Sequence, residues 1–263
     1  DFGINGSGGI YNDLIDWLAV QFRRSGYSIK DMHRLILSSN VYRQSMVHPQ
    51  AAEFDEIDSK NEYLWVRSPI RHEAEVIRDS VLAVSGSLNR EMGGPPFFPA
   101  VDDELMQRAP TWWEPSEPKQ RHRRTVYMLQ SRSLQLPFLK VFNGANIDES
   151  CPVRDVTTVT NQVFALFNSQ FMQQQSTEFA NRIMREAGSD SAEQIGYAYQ
   201  LAYQRSPTSE ELETCLKFLA QSAHPESTAD RVKFGIDDAP VPTGSLTDLC
   251  LVLLNSNEFL YLQ

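Results

Sequence analysis

The sequence lacks the short motifs that identify the common classes of catalytic, nucleotide-binding and calcium-binding proteins. It contains no G-x-S-x-G, no P-loop, no dinucleotide fingerprint and no kinase or EF-hand signature. No apolar run approaches the roughly 18 residues that a membrane-spanning helix needs, so we expect no membrane insertion. Lys and Arg (24) are fewer than Asp and Glu (34), which gives a net charge of −10. This negative charge argues against nucleic acid or an anionic membrane as the main partner.

Cysteine is scarce, and Cys151, Cys215 and Cys250 lie far apart in the 263 residues. They form no C-x-x-C pair and no C-x-x-C-H haem-attachment site. We expect no cofactor within this chain. At most one disulfide can form among three cysteines, and buried apolar thiols are the favoured interpretation. The chain opens at Asp1-Phe2-Gly3 without an initiating Met. This opening indicates a piece of a longer protein.

Helical periodicity dominates what the sequence does contain. Helices are predicted at residues 10–25, 68–88, 133–142, 160–168, 170–187 and 191–204, with others starting at Ser28, Thr208 and Ser245. Residues 49–65 and 223–243 are predicted as connections, and residues 124–131 as one short strand. We therefore expect a mainly α fold. It would be a single irregular multi-helix domain over 1–263, with long Pro-rich loops and at most one short strand or hairpin.

Residues from about 93 to 122 are rich in proline and predict a long irregular excursion. Trp112 and Trp113 stand in it, after Phe97 and Phe98. Exposed aromatic pairs on loops form stacking platforms for sugars or for a partner chain. Trp112 and Trp113 are therefore the predicted binding residues. In the alternative, the loop folds back and these rings anchor it.

His72, Glu75 and Asp79 are spaced at i, i+3 and i+7, which places them on one face of the helix predicted at 68–88. Di-metal helix bundles use a carboxylate and an imidazole at such spacing. A solvated helix face explains the same pattern, and the chain has no second Glu-x-x-His helix. The three residues are therefore weak metal candidates.

The segment from Cys151 to Asn168 places Arg154 and two threonines beside apolar residues that look buried. Buried guanidinium and amide groups must be hydrogen-bonded, so the segment predicts a polar network that is structural or lines a site. Elsewhere, His33 borders an apolar helix face. Arg43 follows a helix end, where it either pairs with an internal acid or clamps a carboxylate.

A set of phrases runs in order along nearly the whole chain. They include Ser25-Gly26-Tyr27-Ser28, Tyr42-Arg43-Gln44-Ser45, Arg71-His72-Glu73-Ala74-Glu75, Gly93-Gly94-Pro95, Cys151-x-x-Arg154, Arg205-x-Pro207-Thr208 and Asn255-Ser256-Asn257-Glu258. The set resembles the planctomycete-specific domain of unknown function at the C-terminal end of planctomycete cytochrome c-like multidomain proteins. The resemblance implies export and two upstream partners, a cytochrome c-like domain and a sister helical domain. It also implies that haem c belongs only to that upstream part.

Two functions of different classes follow. The first is a non-catalytic interaction or scaffold domain, with Trp112 and Trp113 making the contact to a protein or a polysaccharide. The alternative is an enzyme, or half of one, acting on an extracellular polymer such as polysaccharide. Its candidate polar groups are His33, Arg43, Arg71, Glu75, Arg154 and Asn257. The enzyme needs two carboxylates, or a base and its partner, to converge in one cleft.

Overall fold

A computed structural model describes residues 11–101, 103–132, 134, 136–145, 147, 151, 154, 166–167, 169–221 and 245–262. The chain divides into two compact units, one up to residue 70 and one from 71 to 262. This division does not test whether the units fold separately, so the single domain stays a prediction. The loop predicted at 223–243 lies outside the described residues, as do Asn168 and most of the helix predicted at 160–168.

Four helices form the described part of the first unit. They are α1 (Asn12–Arg24), α2 (Ile29–Leu37), α3 (Asn40–Arg43) and α4 (Ala51–Ile57). Ser28 caps α2 as predicted, because its hydroxyl oxygen accepts from the Asp31 backbone N–H at 3.3 Å. The prediction of a connection at 49–65 is wrong at α4, a seven-residue helix that begins with two alanines, the best helix formers.

The second unit is also mainly α, which confirms the predicted fold class. Strand β1 (Ile70–Arg71) leads into it and pairs with β2 (Tyr261–Leu262) in a two-stranded sheet. Among its described residues, the helices are α5 (Ala74–Ser85), α6 (Asp103–Arg108), α7 (Pro118–Arg121), α8 (Pro137–Val141), α9 (Gln170–Ala187), α10 (Ser191–Tyr203), α11 (Ser209–Gln221), α12 (Ser245–Leu254) and α13 (Asn257–Leu260). Helices α9, α10, α11 and α12 lie close to their predicted positions.

The core of the second unit forms where α9 packs against α5 and α12. Val81, Phe179, Ile183 and Leu254 are fully buried there. Each such side chain contributes roughly 1.5–3 kcal/mol by leaving water. The buried Ser85 joins α5 to α9, since its hydroxyl donates to the Gln175 side-chain oxygen at 2.7 Å. This packing fixes α5, which carries Glu75.

The start predicted for the helix at 68–88 is wrong. Residues 70 and 71 are extended, and the backbone N–H of His72 donates to the Leu260 carbonyl at 2.8 Å. The helix begins at Ala74, because pairing with the distant β2 competes with helix formation over the preceding residues. Ile70, which the helical pattern places inside, is 55% exposed.

Two further predictions for the middle of the chain need correction. Residues 124–131 do not form a strand: Thr125–Tyr127 is a turn of 3-10 helix, and Met128 makes only an isolated bridge to Phe97. The excursion predicted at 93–122 contains the short helices α6 and α7. Both begin near acidic or proline residues, which favour a helix N-terminus.

Candidate functional site

A cavity of about 410 Å³ opens in the second unit, within the size range of small-molecule sites. Its apolar wall consists of Leu134, Leu136, Leu139, Ala145 and Ile147. Its polar lining consists of Glu75, Gln130, Ser131, Lys140, Asn143, Cys151 and Arg154. The first turn of α5 supplies Glu75, and α8 supplies Leu139 and Lys140. The cavity is therefore assembled from segments nearly 80 residues apart in sequence.

Glu75 and Arg154 form a two-pronged ion pair in the cavity wall. The Arg154 Nη1 donates to Glu75 Oε2 at 2.7 Å, and Nη2 donates to Oε1 at 3.0 Å. Both side chains are about three-quarters buried. Glu73 adds a second, more distant carboxylate, 3.6 Å from the same Nη1. Parallel hydrogen bonds of this kind fix geometry as well as charge.

The ion pair keeps both partners charged. Burial raises the pKa of the Glu75 carboxyl, but the hydrogen bonds from Arg154 and from its own backbone N–H outweigh burial and hold the pKa below its ordinary value. The hydrogen bond to Glu75 raises the pKa of Arg154. Glu75 is thus an ionised, hydrogen-bonded acceptor at neutral pH and a weak proton acceptor.

The turn after α8 fixes the neighbouring wall. Asn143 has a φ of +57°, and a Cβ on Gly144 would lie 2.9 Å from the Leu139 carbonyl oxygen, so only glycine fits there. The buried Arg71 donates to Asn143 Oδ1 at 3.3 Å, and its guanidinium lies 5.5 Å from the centre of the Phe142 ring. Arg71, which is not itself a lining residue, therefore helps to hold the lining residue Asn143 in place.

The remaining sequence candidates do not line this cavity. His33 on α2 and Arg43 on α3 are exposed residues of the first unit. Asn257 is the first residue of α13, where it is exposed and its carbonyl accepts the Tyr261 N–H. Of the six polar candidates, the structure brings Glu75 and Arg154 together, and Arg71 contacts Asn143, which lines the same cavity.

The metal candidates are separated by their local structure. His72 precedes α5, so the premise that it shares a helix face with Glu75 and Asp79 is wrong. Burial lowers the pKa of His72. Asp79 Oδ1 accepts from both the backbone N–H and the hydroxyl of Thr125, at 2.7 and 2.6 Å. Among the described residues, no group of three His, Cys, Asp or Glu is placed to hold a metal ion.

The two tryptophans have different environments. Trp113 is 4% exposed and packs with Val101 and Leu134 in a small hydrophobic cluster. Trp112 is 60% exposed and makes an edge-to-face contact with Phe98, with ring centres 6.0 Å apart. One ring thus anchors the excursion, while its neighbour faces solvent. Leu134 also lines the cavity, which links the anchor to the cavity wall.

Buried arginines tie the excursion to α5, and sequence reasoning did not find their roles. Arg78 donates to the carbonyls of Arg121 and Arg123 and to the Thr125 hydroxyl. Arg123 donates to the carbonyls of Gly93 and Pro95. Within the basic run 121–124, Arg123 is therefore an interior residue, Arg121 and His122 are half-buried and Arg124 is exposed, so the run is not one continuous binding patch. The sequence signal was its position after a proline-rich stretch that offers many unpaired carbonyls.

The fold and the site define a mainly α domain whose motif arginines and carboxylates are largely paired with each other or with the backbone. The chain belongs to the PSD1 family, described as a protein of unknown function (DUF1553), whose family model matches residues 1–219. No curated protein and no solved structure matches the chain significantly. No helix in the described ranges is both long and apolar enough to cross a membrane.

Proposed function

We propose that the chain is a non-catalytic helical interaction domain of an exported, cytochrome c-like multidomain protein of planctomycetes. The pairing of Glu75 with Arg154 inside the cavity is the observation that supports this most. A general base needs a pKa near the working pH, and this carboxyl has a lowered pKa. Among the described lining residues Glu75 is the one carboxylate, whereas most glycoside hydrolases use two.

The exposed Trp112 is the proposed contact residue. Its ring rests against Phe98, which in turn packs on the buried Trp113 with ring centres 5.3 Å apart. A large ring held by a rigid base loses little freedom on binding, which favours affinity. Exposed tryptophans are also prominent among residues that contribute most to protein interfaces.

The proposed partners are the upstream cytochrome c-like domain and the sister helical domain of the same polypeptide. This part of the proposal, like export and planctomycete origin, rests on the ordered set of sequence phrases. A polysaccharide or another protein at the Trp112 surface is compatible with the same contact. Haem c would belong to the upstream domain.

Binding of the upstream part tests the proposal. The chain and the cytochrome c-like part of its polypeptide are produced separately and titrated by calorimetry. We expect a complex that Trp112→Ala weakens about tenfold or more. Tyr63→Ala is the control, because this ring is also exposed (82%) and lies in the other unit. If no complex is detected at protein concentrations of about 100 µM, the affinity is too weak for a stable contact and the proposal is contradicted.

An enzyme acting on an extracellular polysaccharide is the second candidate. It is favoured by one observation, the placement of Glu75 and Arg154 in the same cavity wall. If the chain is such an enzyme, the wild-type protein should release new reducing ends from a soluble polysaccharide. The Glu75→Gln variant should lose this activity. Activity that survives Glu75→Gln would remove this cavity from consideration as the active site.

A further inference from the structure

The described walls of the cavity differ in polarity. Leu134 and Leu139 are 3% and 8% exposed, and they present a fixed apolar surface. The polar part of the lining includes the charged side chains of Lys140, Arg154 and Glu75 and the amide of Gln130. A cavity with an apolar wall and a few polar groups selects ligands that have both an apolar body and a polar end.

The charge of the described lining is positive. It carries two cations, Lys140 and Arg154, and one anion, Glu75, in a chain whose net charge is −10. Glu75 neutralises Arg154 through their paired hydrogen bonds, and Glu73, which is not part of the lining, lies 3.6 Å from the same guanidinium. Lys140 is exposed, and the structure gives it no ion pair with any described carboxylate. Among the described lining residues, the uncompensated charge is thus the ammonium group of Lys140.

Besides the charge of Lys140, the cavity offers hydrogen-bond donors from the guanidinium of Arg154. A guanidinium has five N–H groups, and Glu75 accepts from two of its nitrogens. The carboxylate therefore orients the guanidinium without exhausting its donors. An anion bound beside Lys140 would meet guanidinium N–H donors that are already held in place, which limits the entropy lost on binding.

We propose that this cavity binds a small organic monoanion, a carboxylate attached to an apolar body. At about 30 Å³ for each water-sized group, the cavity has room for about a dozen non-hydrogen atoms. Lys140 and Arg154 receive the carboxylate, and Leu134 and Leu139 contact the apolar body. This ligand site is independent of the interaction function proposed above, because it does not involve Trp112.

Cys151 provides a reporter within the site. It lines the cavity and is exposed, so the expectation of a buried thiol is wrong for Cys151, whereas Cys215 and Cys250 are buried as expected. A thiol must be reached by solvent to react with an alkylating reagent. Alkylation of the folded chain by iodoacetamide, followed by intact-mass spectrometry, therefore measures access to the cavity. A bound ligand is expected to slow the modification.

The first experiment compares 4-phenylbutyrate with the neutral 4-phenylbutyramide, which has the same number of non-hydrogen atoms. A ligand of this size at ordinary efficiency binds with a dissociation constant on the order of 1 mM. We therefore expect about 10 mM carboxylate to slow alkylation about tenfold. The amide is expected to protect far less. Equal protection by both compounds, or protection by neither, overturns the proposal.

Two variants locate the effect. Lys140→Gln should raise the half-protecting concentration of 4-phenylbutyrate about fivefold or more, since it removes the uncompensated charge. Lys119→Gln is the matched control, an exposed lysine outside the lining, and should change nothing. Ala145→Phe fills the cavity and should abolish protection while leaving both cations. Protection that persists in Lys140→Gln and Ala145→Phe overturns the site, and each rate is compared with the same variant without ligand.

Discussion

At the scale of single residues, arginine side chains do most of the cross-linking in the second unit. Arg205 is the fullest example. Its guanidinium pairs with Glu258 through Nε and Nη2, both at 2.6 Å, and with Glu211 through Nη1 and Nη2, at 2.8 and 2.7 Å. These two ion pairs join the start of α11 to α13. Such residues stabilise a fold of short helices, whose ends leave backbone groups unpaired.

Glu211 makes the stability of the domain depend on acid. The hydrogen bonds from Arg205 lower the pKa of Glu211 to about 2, below its ordinary value of 4.5. The stabilisation is therefore present above about pH 4.5 and is lost as the pH falls toward 2. We expect Glu211→Gln to be about 1 kcal/mol less stable than wild type near neutral pH.

This difference should shrink as the pH falls from about 5 to about 2.5. Urea unfolding of both proteins across that range measures it. Glu213→Gln is the control, an exposed acid on the same helix whose partner is the exposed Lys217. A constant difference between wild type and Glu211→Gln at all pH values would show that the Arg205 pair does not carry the effect.

Arg78 should be among the least replaceable arginines. It is 11% exposed, and its removal leaves the carbonyls of Arg121 and Arg123 without their donor. We expect Arg78→Ala to lower the free energy of unfolding by about 3 kcal/mol, the usual cost of breaking a buried charged network. Arg90→Ala, at an exposed arginine, should change it by less than about 0.5 kcal/mol. Similar urea midpoints for the two variants would refute the buried role of Arg78.

At the scale of elements, helix ends decide the path of the chain. Helix α5 ends at Gly86, which has a φ of +82°, and a Cβ there would lie 3.3 Å from Arg182 Cδ. Arg182 donates to the carbonyls of Ala83 and Val84, in the last turn of the same helix. Glycine and an arginine from α9 together terminate α5.

Gly86→Ala should therefore destabilise the domain by about 1–2 kcal/mol, since a side chain is strained at that φ and crowds Arg182. Gly196→Ala is the matched control. It lies inside α10 with nothing within 4 Å of the added Cβ, and it should stabilise by about 0.5–1 kcal/mol. Thermal unfolding of both variants measures the two changes in stability, which should have opposite signs. Equal effects would mean that the left-handed turn is not what ends α5.

The same scale shows what the sequence could and could not predict. Helices α9 and α11 were predictable because local signals mark them: Gly188 follows the first, and the Thr208 hydroxyl caps the second. The start of α5 was not predictable, because Ile70–Arg71 pairs with a strand about 190 residues later. The cavity was only partly predictable. Glu75 and Arg154 were both singled out, but their pairing is a long-range contact that no local pattern encodes.

At the scale of the whole molecule, the second unit combines a buried apolar core with a charged cavity. The polar residues that carry the family resemblance are mostly committed to internal hydrogen bonds, as Arg205 and Arg154 illustrate. Active-site groups are often retained at a cost in stability, whereas structural groups stabilise. The effect of Glu75 and Arg154 on the free energy of unfolding therefore distinguishes the two functions. In an interaction domain the pair stabilises the fold, whereas in an enzyme it is retained for catalysis at a cost in stability.

A double-mutant cycle on Glu75 and Arg154 tests this most directly. The free energy of unfolding is measured in urea for wild type, Glu75→Gln, Arg154→Met and the double variant. We predict that each single variant is less stable than wild type, with a coupling energy of about 1 kcal/mol or more between the two sites. A Glu75→Gln protein more stable than wild type, with no coupling to Arg154, would contradict the account and indicate a catalytic carboxylate.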